Sequence, residues 1–130
     1  MIIDSSALIA ILTSESDAEL LEDALIASPA RRISAATYVE AGIVMDSRRS
    51  PVVSHALDNF LQTMQIGVEP VTVQQAKLAR EAYRDFGKGR HTAGLNFGDC
   101  FAYALAKDKR EPLLFKGDDF RKTDVEVADF

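Results

Sequence analysis

The sequence predicts an α/β domain built on a parallel sheet. Apolar runs of strand length stand near both ends of the chain, Met1-Ile2-Ile3 and Leu113-Leu114-Phe115. Between them, segments such as ESDAELLEDALIA and VQQAKLAREAYRDF repeat apolar positions at helical spacing. Strands that alternate with amphipathic helices pair in parallel, because each helix carries the chain back across the sheet. With 130 residues, the expectation is one domain, 1–130. A chain of that length buries roughly two-thirds of its unfolded surface without disulfides or a structural metal.

Ile2-Ile3 reads as a buried strand ending at Asp4, and Ser5 or Ser6 is expected to cap a helix running through Leu8, Ile9 and Leu12. Residues 15–27 place Leu20, Leu21, Ala24 and Leu25 on one helical face and acids on the other, and Pro29 stops the helix. Arg32-Ile33-Ser34 is a second strand, followed by the helix ATYVEAGIVMDSRR. Pro51 suits a first helical turn and opens a helix to about Gln65. Val68 to Val71 makes a short strand. Thr72 caps the next helix, which Gly87 closes. A glycine-rich basic loop, GKGRHTAGLN, precedes Asn96, the cap of FGDCFAYALAKDK, and Pro112 marks that helix's end. Tyr83 and Phe86 are expected in the core, and Cys100 is expected to be a small buried residue.

Composition narrows the function classes. One cysteine excludes an internal disulfide, and with only two histidines the composition argues against a closed zinc site of the usual type. The opening segment has no basic leader and is broken by Asp4, so no signal peptide is expected, and no apolar run spans a bilayer. A soluble, cytoplasmic protein is the expectation. The net charge of −5 conceals an asymmetry: residues 1–70 hold ten acids against four arginines, whereas 77–122 hold eleven bases against seven acids. Such a chain can still present a basic face to a polyanion. Lys77, Arg80, Arg84 and Lys88 recur at spacings of three and four, and Arg90 extends them into the glycine-rich loop. They are the candidate RNA-binding residues; the plainer reading is a solvated face with Glu81 and Asp85 as partners.

The acids carry the chemistry. In a parallel sheet, functional groups collect beyond the carboxyl ends of the strands. Asp4 ends the first strand, Asp118 and Asp119 follow the last, and Glu40 and Asp99 lie early in helices that can reach the same edge. Two carboxylates ~4 Å apart repel by about 4 kcal/mol at an effective dielectric near 20. A converging cluster must therefore protonate, stay apart or hold a cation. All-oxygen ligands select a hard ion, Mg²⁺ or Mn²⁺, which polarises phosphates and activates water. Each acid also has a plainer reading. Asp4 and Asp99 stand where helix caps stand, Glu40 follows Thr37 at capping-box spacing, and Asp118 suits a turn.

The segments Ile2-Ile3-Asp4-Ser5-Ser6-Ala7-Leu8, Thr37-Tyr38-Val39-Glu40, Asn96-Phe97-Gly98-Asp99-Cys100-Phe101-Ala102 and Leu113-Leu114-Phe115-Lys116-Gly117-Asp118-Asp119-Phe120 together resemble a PIN domain of the VapC type over nearly the whole chain. The resemblance implies a three-layer α/β/α fold with a central parallel sheet of four or five strands. It also implies Mg²⁺-dependent cleavage of RNA, and silencing by a small VapB-like antitoxin in a complex of homodimers. It carries catalytic and metal-ligand roles onto Asp4, Glu40 and Asp99, with the Ser6 hydroxyl orienting Asp4. The family's last strand often leads into Asp-x-Asp-Phe; Gly117 takes the first of those acidic positions here. The fourth acid is then assigned to Asp119, with Asp118 as the substitute.

Two competitors remain. An aspartyl-phosphate-forming phosphatase would want a second acid two residues after Asp4, where Ser6 stands. A PIN-like module that binds RNA or protein without cutting would use the acids only as caps.

Overall fold

Strand side chains point alternately to two faces, so a sheet with apolar residues on both needs two covers. The computed structural model describes residues 1–130 and supplies both. Four parallel strands, β1 (Ile2–Ile3), β2 (Arg31–Ser34), β3 (Ile66–Glu69) and β4 (Leu113–Leu114), stand in the order β3-β2-β1-β4. Ile3, Ile33, Ile66 and Leu114 pack under α1 (Ser5–Leu12), α2 (Ala18–Ala27), α3 (Ala35–Asp46) and α4 (Pro51–Thr63). Ile2 and Leu113 face the opposite core, under α5 (Val73–Phe86) and α6 (Phe97–Lys109). This is the expected three-layer architecture, with four strands.

The topology decides where a site can form. From β1 the chain steps outward to β2 and β3, then returns to lay β4 on the other side of β1. The order reverses at β1 and β4, so the connections there diverge and leave a crevice beyond the carboxyl ends. Because α6 runs back toward the start of β4, its N-terminus lies at that same edge.

Several elements differ locally from expectation. Asp4 itself caps α1, accepting from Ser6 N–H, where a serine was expected. Leu20 is 61% exposed, since α2 begins only at Ala18 and turns Leu21, Ala24 and Leu25 inward. Ser34 caps α3, so Thr37 and Glu40 form no capping box. The strand expected from Val68 lies two residues earlier, because it pairs in register with Arg31–Ser34 and ends before Pro70, which has no N–H for the ladder. Gly87 ends α5 with φ −70°, outside the left-handed region. Glycine is required there because a Cβ would come 2.2 Å from the Tyr83 carbonyl oxygen. Lys88 thus falls past the helix end and does not continue the face of Lys77, Arg80 and Arg84. Tyr83 is 40% exposed, because α5 packs on α6 through Ala79 and Ala82.

Candidate active site

Asp4 leaves β1 at the level where Leu114 ends β4, its N–H bonded to the Leu114 carbonyl at 2.9 Å. Its carboxylate is buried, 2% exposed. Oδ2 accepts from Ser6 N–H at 3.0 Å and from the Ser6 hydroxyl at 2.6 Å. The same hydroxyl accepts from Lys116 N–H at 3.0 Å, so Ser6 ties Asp4 to the chain leaving β4. Oδ1 is buried without any partner. Burial raises the Asp4 carboxyl above its ordinary range, against the Ser6 bonds and with help from the Glu40 charge.

Asp99 is the third residue of α6. It closes a capping box: Asn96 Oδ1 accepts from Asp99 N–H at 2.8 Å, and Asp99 Oδ2 accepts from Asn96 N–H at 2.9 Å. Its carboxyl is nevertheless pushed up to about 7, first by burial, opposed by the Asn96 bond, and then by the charges of Asp4, Glu40 and Asp119. Asp119, whose charge is one of these, begins a 3₁₀ turn that Asp118 precedes, and Gly117 before them sits at φ +96°. A glycine suits that conformation better than the acid of the usual family pattern.

Glu40 reaches the cluster from the second turn of α3, where Oε1 accepts from the Ser5 hydroxyl at 2.6 Å. Its carboxylate lies against the backbone of Gly98. A Cβ on Gly98 would come 1.9 Å from Glu40 Oε2. Sequence reasoning missed Gly98, since a glycine two residues inside a helix signals nothing until the facing helix is placed.

The structure thus gathers Asp4, Glu40, Asp99 and Asp119 at the crevice predicted by the topology. No group of three acids is yet drawn tightly enough to enclose an ion. The donor set fits a hard cation: all oxygen, one buried oxygen without a partner, and no basic side chain paired with any of these four acids.

Elsewhere, Lys77, Arg80, Arg84 and Arg90 line an open groove of about 650 Å³ on the outer side of α5. Arg84 pairs with Asp85 at 3.0 Å, whereas Lys77, Arg80 and Arg90 make no ion pair. Lys88 is exposed but outside the groove. His91 Nδ1 accepts from Ala93 N–H at 3.0 Å and braces its own loop. Cys100 is buried, its thiol pushed up to about 11 by burial and then by Asp99. It is no nucleophile at neutral pH.

The PIN domain family matches residues 1–126. Ribonuclease VapC28 of Mycobacterium tuberculosis is 59% identical over 129 residues, 98% of this chain and 97% of its own. Ribonuclease VapC of Mycolicibacterium smegmatis is 54% identical over 125 residues, 96% of this chain and 97% of its own. Among solved structures, M. tuberculosis VapC20, described as a sarcin-ricin loop cleaving toxin, superposes with a TM-score of 0.73 at 19% identity, covering 98% of both chains. VapBC2 from Rickettsia felis, bound to a promoter DNA fragment, gives 0.74 at 12% identity over 97% of this chain and 94% of that one. At such identities the superpositions speak to the fold alone. The match along almost the entire chain, joined to identities above one half, places the protein in the PIN-domain family, within its VapC branch.

Proposed function

We propose that this protein is a metal-dependent ribonuclease, acting in the cytoplasm as the toxin of a toxin–antitoxin pair. One observation carries the metal reading: four carboxylates at one sheet edge, the deepest with a buried oxygen that nothing satisfies. A buried unpaired carboxylate oxygen costs several kcal/mol of solvation, on the order of that lost by any desolvated charge, unless a cation replaces the water. Asp4, Glu40, Asp99 and Asp119 would hold Mg²⁺ or Mn²⁺. Bound there, the ion supplies Lewis acidity toward an RNA phosphodiester.

The chain's own residues do the positioning. Ser6 fixes which oxygen of Asp4 faces the crevice. Ser5 and the bare backbone at Gly98 seat Glu40. Asn96 orients Asp99. The groove cations Lys77, Arg80, Arg84 and Arg90 would track RNA phosphates, and Lys88, outside the groove, would not. The toxin role rests on the relatives, which carry VapC ribonuclease names, and on the fold shared with toxin–antitoxin complexes. An antitoxin segment tipped with Arg or Lys would answer the acid cluster with charge-assisted bonds, in an assembly of homodimers.

The non-cutting module keeps one observation in its favour: Asp4 and Asp99 do cap helices. A cap, however, uses one oxygen and gains nothing from burying the other, or from three more carboxylates nearby. Incubating the protein with a mixed RNA pool and Mg²⁺ separates the readings. Cleavage that disappears with EDTA and in Asp4→Asn supports the nuclease. Binding without cleavage under any divalent ion supports the module.

A further inference from the structure

Lys116 leaves β4 two residues after Leu114 and is fixed by both its backbone and its side chain. Its N–H donates to the Ser6 hydroxyl at 3.0 Å. Its ammonium donates to Glu15 Oε1 at 2.6 Å and lies 3.5 Å from Asp17 Oδ1. Glu15 and Asp17 stand in the turn that joins α1 to α2, so Lys116 is tied to the start of α1 and to the turn after its end. Ser14 bends the chain into that turn at φ +54°, a conformation that residues other than glycine rarely adopt. Asp17 occupies the N-cap position of α2 and makes no cap bond. Its Oδ1 is buried without a hydrogen bond, and the Lys116 ammonium is its counter-charge.

These ties lead to the acid cluster. A serine hydroxyl has one proton. Accepting from Lys116 N–H leaves that proton for Asp4 Oδ2, which receives it at 2.6 Å. Oδ2 is thereby occupied by both donors of Ser6, and Oδ1 is the oxygen left over. On its other side Lys116 precedes Gly117, where φ +96° turns the chain into the 3₁₀ turn that Asp119 begins. Phe120 is buried against Phe115, ring centroids 5.1 Å apart, and fixes the far end of that short segment. Lys116 and Phe120 therefore bracket Asp119.

We propose that Lys116, gripped by Glu15 and Asp17, is a positioning residue for the metal site, setting Asp4 through Ser6 and Asp119 through the chain. The inference rests on the metal-dependent reading and adds three residues outside the acid cluster. Lys116 pairs with none of the four acids. Its charge alone would oppose a divalent cation, so a purely through-space effect predicts tighter Mg²⁺ binding when the ammonium is removed. Positioning predicts the opposite sign.

The test is titration calorimetry of the full chain with Mg²⁺ alone, in about 0.15 M salt to screen distant charges. Lys116→Met keeps the main-chain donor and removes the ammonium; its Kd should rise about tenfold. Glu15→Gln with Asp17→Asn should also weaken binding, and adding Lys116→Met to that pair should change little more, since both break one link. Lys116→Arg, which keeps a cation for both carboxylates, should restore most of the affinity. Arg32→Met is the control: it breaks pairs to Glu111 at 2.8 Å and Glu69 at 3.4 Å, so it should lower Tm and leave the Kd unchanged.

An unchanged Kd in folded Lys116→Met overturns the inference, and a lower Kd overturns it in favour of simple charge competition. Equal weakening in Arg32→Met assigns the effect to general destabilisation and overturns it too. If Lys116→Met does not fold, the Glu15, Asp17 double variant decides. Weaker Mg²⁺ binding together with faster hydrogen exchange of the Lys116 amide supports positioning, and no change in either overturns it. A wild type that binds no Mg²⁺ removes the metal reading and this inference with it. Unchanged variants of a wild type that does bind remove the inference alone.

Discussion

Removing one charge from the acid cluster should stabilise the metal-free protein, and removing two should abolish its response to Mg²⁺. The Asp99 carboxyl is pushed from 3.8 to about 7 by burial and by the charges of Asp4, Glu40 and Asp119. At about 1.36 kcal/mol per pKa unit this amounts to about 4 kcal/mol against the ionised form, and solvent screening at a half-buried group reduces it to roughly 2. The fold thus favours the protonated acid. Its contribution to stability is full below 3.8 and is lost as the pH rises through about 7.

Two acids with the opposite behaviour do not confuse that window. Burial pushes Glu111 up, but the Met1 ammonium and Arg32 outweigh it; Asp124 is lowered by its bond from Tyr103. Their contributions are lost only as the pH falls below the ordinary values of 4.5 and 3.8. Asp99→Asn keeps an acceptor for Asn96 and removes the charge at every pH. In EDTA at pH 8 it should be more stable than wild type by roughly 2 kcal/mol, about 6–10 °C in Tm for a domain of this size. Between pH 5 and 8 its stability should fall less than that of wild type. Mg²⁺ at a hundred times its Kd should add about 2.7 kcal/mol to wild type, and little to the Asp4→Asn, Asp99→Asn double variant. Thermal melts by circular dichroism, with EDTA or Mg²⁺ at both pH values, measure all of this. An equal Mg²⁺ increment in the double variant, or Asp99→Asn less stable than wild type at pH 8 in EDTA, would refute the reasoning.

Gly98→Ala should leave the metal-free Tm unchanged or higher, since alanine favours a helix by about 1 kcal/mol over glycine; by displacing Glu40 it should weaken Mg²⁺ affinity roughly 10–100-fold, read by titration calorimetry. Asp119→Ala should reduce RNA cleavage far more than Asp118→Ala, because the Asp119 charge acts on Asp99; the reverse ranking would shift the fourth acid by one residue. Ser6→Ala removes one of the two hydrogen bonds to Asp4 Oδ2 and unties Lys116 N–H, so it should cost about 1–3 kcal/mol in urea melts together with a loss of activity. Arg80→Gln with Arg90→Gln should flatten the salt dependence of single-stranded RNA binding by roughly 0.7 in log–log slope per contact, whereas Lys88→Gln, outside the groove, should leave it unchanged.

Much of the protein is legible in its sequence because the signals are local. Thr72 and Asn96 cap α5 and α6 through residues no more than three positions away, so reading along the chain finds them. An acid at the end of an otherwise apolar strand marks Asp4 as costly to bury. The order of short strands and helices also implies a parallel sheet with its site at the carboxyl edge.

What only the tertiary structure decided depends on which faces neighbouring elements cover and how far charges stand apart in space. Periodicity puts Tyr83 among the apolar positions of α5, but α6 covers Ala79 and Ala82, leaving Tyr83 beside the cations. Gly87 looks like a left-handed cap, and is needed instead for its approach to the Tyr83 carbonyl. Gly98 acquires a purpose only once α3 lays Glu40 across it. That the charge of Asp119 acts on Asp99, twenty residues back along the chain, is likewise a product of the fold and not of any local spacing.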